Sequence, residues 1–117
     1  MSSRTIDRRE WASFFNQVSD ALAGKKVEIE ASSLEVGDQI VAEWMPLLGV
    51  SYDSKDDLVD ISLGEMDLDH LIRNPKDIQV QDGTHGIEMI AVTTAAGSVE
   101  MLRLREPLML PAPAGKP

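Results

Sequence analysis

The stretch Ile6-Asp-Arg-Arg-Glu-Trp-Ala-Ser-Phe-Phe-Asn-Gln-Val-Ser-Asp-Ala-Leu22, followed after Gly24 by Lys26-Val-Glu-Ile-Glu-Ala31, decides the fold, because the apolar period changes inside it. Trp11, Phe14, Phe15, Val18 and Leu22 fall at i, i+3, i+4, i+7 and i+11, one stripe of an α-helix. Asp7 is placed to cap the first free N–H groups, and Glu10, three residues on, to reach back to it. Ile6 and Trp11 occupy the two positions of a hydrophobic staple. Gly24 ends the pattern, with Lys25 and Lys26 beside the negative end of the helix dipole. A helix is predicted over residues 8–23. Helices of this length are held mainly by tertiary packing, so the stripe is expected to lie on the protein's own sheet rather than on a partner.

From Lys26 onward the period is two. Val27, Ile29 and Ala31 alternate with Glu28 and Glu30, and Ile40, Ala42 and Trp44 alternate with Val41, Glu43 and Met45. Pro46 interrupts the second run, and Leu48, Val50 and Tyr52 resume it, which reads as one bent strand with Gly49 easing the corner. Residues 47–53 and 58–64 form a hairpin candidate across Ser54-Lys-Asp-Asp57. His70-Leu-Ile-Arg-Asn-Pro75 reads as a short extended piece, and Ile78 with Val80 as another. Ile87-Glu-Met-Ile-Ala-Val-Thr93 is apolar on both faces after Glu88, as in a central strand covered on both sides. Val99-Glu-Met-Leu-Arg-Leu-Arg-Glu106 is the last strand and Pro107 ends it.

These short connections demand antiparallel neighbours. The fold expected is α+β and mostly β: an N-terminal helix on a strongly bent antiparallel sheet or small barrel of about seven strands. Residues 1–110 are expected to form one domain, with 111–117 a flexible tail.

The chain has 117 residues, with 20 Asp and Glu against 11 Lys and Arg, for a formal charge of -9. That balance argues against nucleic acid and against an anionic membrane surface. Cysteine is absent, which removes disulfides, thiolate nucleophiles and Cys zinc sites. The N-terminus carries charges where a signal peptide needs an apolar stretch, and Trp44-Met-Pro-Leu-Leu-Gly-Val50 is far short of the roughly 20 residues that span a bilayer. A cytoplasmic protein is expected.

Seven carboxylates lie between Asp53 and Asp69. A calcium loop fails on spacing, since Asp53-Ser-Lys-Asp-Asp-Leu has Lys55 at the third position and no glycine at the sixth. A solvated acidic rim is the better reading. Asp67, Asp69 and His70, with His85 on another turn, are the candidate metal or acid–base cluster, although Asp67 and Asp69 would share one strand face and His70 the other. No Gly-x-Ser-x-Gly elbow, dinucleotide glycine pattern or phosphate loop occurs, so no catalytic residue and no cofactor is assigned. Arg103 and Arg105 share a face and are expected to pair with acids on a neighbouring strand.

Arg9-Glu10-Trp11 with Phe14-Phe15, then Leu47-Leu-Gly-Val-Ser-Tyr-Asp53, His70-Leu-Ile-Arg-Asn-Pro75 and Leu102-Arg-Leu-Arg-Glu-Pro107, together resemble a bacterial family of short uncharacterised proteins, over most of residues 4–110. The resemblance implies a single-domain bacterial protein and brings no catalytic residues with it. Three functions follow, in order: a non-enzymatic binding or assembly module, acting on an unknown protein partner or by self-association as a homodimer; a small-ligand carrier with a pocket lined by Trp44, Met45, Met89 and Met101; and a metal-dependent or acid–base enzyme using Asp67, Asp69, His70 or His85.

Overall fold

The computed structural model describes residues 2–35, 37–64 and 68–108. Strand β1 (Ser2–Thr5) is followed by a 3-10 turn (Arg8–Glu10) and helix α1 (Trp11–Leu22). Seven further strands follow: β2 (Lys26–Ser33), β3 (Gly37–Asp53), β4 (Leu58–Leu63), β5 (Leu68–Arg73), β6 (Pro75–Gly83), β7 (Gly86–Thr94) and β8 (Val99–Leu108). All neighbours run antiparallel, in the order β1-β6-β7-β8-β2-β3-β4-β5. The end strands β1 and β5 do not pair, so the sheet is open rather than a barrel. No helix among the described residues is long and apolar enough to cross a membrane.

The helix forms as its stripe dictates. Trp11, Phe14, Phe15, Val18 and Leu22 are all buried. The staple closes through the Trp11 indole Nε1, which donates to the Ile6 carbonyl at 3.0 Å. Capping differs from the expected reciprocal box. The Asp7 carboxylate accepts the Arg9 N–H at 2.9 Å and also the Arg9 guanidinium, while the Glu10 side chain makes no capping bond. The guanidinium satisfies Asp7 in its place and, with the Arg9 N–H, holds its carboxyl below the ordinary range.

Strand β3 carries the corner. Residues 37–46 pair with β2, and residues 47–53 pair with β4. Register shifts on both sides of the junction, together with a positive φ of 48° at Trp44, turn the chain from one half to the other. The shifts undo the simple alternation, leaving Ile40 exposed and Trp44 half-buried while Ala42 is buried. Gly49 serves the helix rather than the bend: a Cβ there would sit 3.2 Å from the Ser19 hydroxyl, and that hydroxyl accepts the Val50 N–H at 3.2 Å.

The bend folds the second half of β3 with β4 and β5 back over the larger part of the sheet. Phe15 lies between Val59, Ile61 and Ile72 on one side and Ile29, Ile90, Val92 and Leu102 on the other, around one small cavity. Strand β7 is central, but its buried residues are Ile87 at its start and Ile90, Val92 and Thr94, which share one phase, in its later half. Met89 and Ala91, opposite Arg103 and Met101, are half-buried, since the helix and folded-back strands fill the other face. Strand β1 was not expected from sequence, because Ser2-Ser-Arg-Thr5 has no apolar alternation and is exposed throughout.

Trp11 contributes its whole side chain to this core, packing edge-on against Tyr52 at 5.1 Å. Trp11→Ala is expected to lower unfolding free energy by about 3–5 kcal/mol in a denaturant titration. An unchanged midpoint would contradict the placement of the helix.

Candidate functional site

Strand β5 alternates as its sequence does. His70 and Ile72 turn inward, with Asp69, Leu71 and Arg73 on the outer face. His70 therefore enters the interior and pairs through Nε2 with Glu100 Oε1 of β8. The two side chains are 22% and 13% exposed, which makes the pair a pin between the folded-back strands and the main sheet. A charge-assisted bond of this kind contributes on the order of 1.5–3 kcal/mol, and removing one partner strands the other. Sequence reading missed Glu100. The available signal was its phase, since it shares the inward face with Leu102 and Leu104, where an acid needs a partner.

The candidate cluster does not assemble. Asp69 accepts a hydrogen bond from Ser62 at 2.8 Å on the outer face, away from His70. His85 is exposed in the turn joining β6 and β7. Asp67 lies outside the described residues. Among the described residues no group of three or more His, Cys, Asp and Glu could hold a metal.

Of the residues expected to line a ligand pocket, Met101 reaches a described cavity. The cavity beside Phe15 amounts to about 10 Å³ and includes Met101 and Glu100 in its wall, but not Trp44, Met45 or Met89. That is room for about one water.

Two further polar clusters organise the surface. Arg8 lies over Trp11 at 4.3 Å, donates to the Pro75 carbonyl at 3.1 Å, and approaches Asp57 at 3.6 Å. Tyr52 donates to Asp57 at 2.7 Å, and burial followed by Asp57 pushes its hydroxyl up. This network ties the helix start to the β3–β4 turn and to the β5–β6 junction, where Asn74 takes a φ of 54°. On the main sheet Arg103 pairs with Glu30 at 3.1 Å, as its strand phase predicts, whereas Arg105 lies 5.7 Å from the Trp44 ring.

On the outer face of β4, Asp60 stands opposite Leu71, and its Oδ1 is buried with no hydrogen-bond partner. Burial and the neighbouring Asp69 charge raise its carboxyl above the ordinary range.

A model of the family of unknown function DUF5335 matches residues 2–113. The chain belongs to that family. A protein of Aquifex aeolicus (strain VF5), described as an uncharacterized protein, is 37% identical to this DUF5335 chain over 111 residues, covering 95% of this chain and 99% of the relative. No solved structure matches. The family resemblance read from the Trp/Phe helix and the strand motifs is borne out, and neither description names an activity.

The Asp60 geometry has a consequence for stability in this DUF5335 chain. The folded protein holds the Asp60 proton more tightly than the unfolded chain, so this group's contribution falls as pH rises above the ordinary aspartate range. Asp60→Asn is expected to raise the denaturant midpoint slightly at neutral pH, with the gain vanishing in strong acid. Denaturant unfolding of both proteins across pH checks this, and a loss of stability at neutral pH would contradict it.

Proposed function

We propose that this chain is a non-enzymatic assembly module that associates with a second copy through an open edge of its sheet. The observation that carries this reading is the state of the sheet edges. Among the described residues β1, residues 37–46 of β3 and β5 have a strand neighbour on one side only, as do residues 47–53 of β3, whose other edge meets helix α1 and its C-terminal turn. Natural sheets blunt such edges with charge, proline or cover. Here β5 and the open half of β3 carry charges but also expose large apolar side chains. Ile40 and Val41 are 51% and 44% exposed on β3, and Leu68 and Leu71 are 52% and 39% exposed on β5. Strand addition at an edge takes affinity from backbone hydrogen bonds and selectivity from such side chains.

The competing readings draw less support. His70 is committed to Glu100 and Asp69 to Ser62, so the acid–base candidates face different surroundings. A cavity of about 10 Å³ does not house a small ligand without opening the core.

Sedimentation equilibrium over a range of concentrations tests the proposal. The average mass is expected to rise from 12.8 kDa toward twice that value. Each copy carries -9, so added salt should strengthen the association by screening the net repulsion. A single 12.8 kDa species up to about 1 mM, in low and high salt, would overturn it.

A further inference from the structure

Resting on that assembly reading, we infer that the contact is made by β5 pairing antiparallel with β5 of a second copy, with Leu71 on the two-fold axis and Asp69 of each copy opposite Arg73 of the other. Two-fold dimers are the commonest closed assemblies, and their interfaces must be self-complementary. An antiparallel pair sets residues of the same sheet face against each other, so few registers are open to a strand pairing with its own copy.

On β5 the outward residues are Asp69, Leu71 and Arg73, all exposed. Centring on Leu71 places Leu71 against Leu71 and forms two Asp69–Arg73 pairs, one on each side of the axis. Moving the centre to His70 sets Asp69 against Leu71 and carries Arg73 past the end of β5, opposite position 67, which lies outside the described residues; moving it to Ile72 sets Leu71 against Arg73, so of the three centres only Leu71 forms charge pairs within β5. The strand's own charge pattern thus selects one register.

The single copy leaves both charges of that pattern unbalanced. Arg73 is exposed and has no carboxylate partner among the described residues, unlike Arg4, Arg8, Arg9 and Arg103, each of which has one. Asp69 lies beside Asp60, and the only side-chain hydrogen bond shown to either carboxylate comes from Ser62. An arriving Arg73 would set a cation directly opposite Asp69, closer than the chain's own Arg73 further along the strand. Leu71, opposite Asp60 on β4, would be covered in the same step.

The other edges offer no such match. Two-fold pairing of the open part of β3 around Ile40 sets Asp38 against Ala42 and Gly37 against Glu43, which avoids repulsion but forms no charge pair. Strand β1 carries one charged residue, Arg4, already bound to Asp82 at 2.9 Å. For molecules that repel each other overall, a local pair of opposite charges is the feature that favours one contact over the rest.

Charge exchange tests the register. Asp69→Arg sets arginine against arginine across the axis, and Arg73→Asp sets aspartate against aspartate. Each single variant is expected to weaken dimerisation at least about tenfold in sedimentation equilibrium, while keeping the native melting profile. An equimolar mixture of the two is expected to dimerise, because every cross-axis pair is then Arg with Asp. The doubly exchanged Asp69→Arg/Arg73→Asp protein should dimerise alone. Val41→Lys, on the β3 edge, should leave association unchanged. A native dimer that both single variants retain, or single variants that stay monomeric when mixed, would overturn the β5 register and leave the assembly reading standing. A native protein that is monomeric throughout would remove both.

Discussion

Helix α1 docks on the second half of β3, and the architecture is organised by that contact. The Ser19 hydroxyl takes the Val50 N–H, Gly49 leaves space for the approach, and the main chain around Gly24 and Lys25 exchanges hydrogen bonds with Leu47 in both directions at 2.8 Å. Strand groups that β2 no longer reaches after the corner are satisfied by the helix and its C-terminal turn. A strand can change partners midway only if the groups it abandons find others. With that edge sealed, β4 and β5 fold over the main sheet, and Phe15 fills the space between them.

The same arrangement explains where the molecule remains open. The helix covers one half of β3, so the other half keeps a free edge, and β5 ends the ladder with nothing beside it among the described residues. Among the described residues His70 and Glu100 are paired in the interior, while Asp60 Oδ1 is buried without a hydrogen-bond partner. Reactive side chains are dispersed, while unsatisfied hydrogen-bonding capacity is concentrated along edges.

Much of this was readable in the sequence, and where it was not the reasons are physical. The helix stripe, the change to period two, the bent strand at Pro46 and the antiparallel pairing all follow from local patterns, and the structure has them. Strand β1 escaped notice because an edge strand of four polar residues buries nothing. The sheet order escaped because alternation fixes which face a residue takes, not which strand lies beside it. Local spacing points Gly49 to the corner, although its absent side chain accommodates Ser19, a contact across 30 positions that such spacing cannot reveal. At the candidate site, the opposed faces of Asp69 and His70 were readable from strand phase alone. The partner of His70 was not, because it required knowing that β5 folds over β8.

Amide hydrogen exchange of the dilute native protein tests the helix contact most directly. Exchange at Leu47 and Val50 is expected to be as slow as in the central strand β7, because their N–H groups bond to Lys25 and Ser19. Amides of residues 37–43 that point away from β2 should exchange rapidly. Fast exchange at Leu47 and Val50, at the rate of that open edge, would show that the helix does not seal the strand.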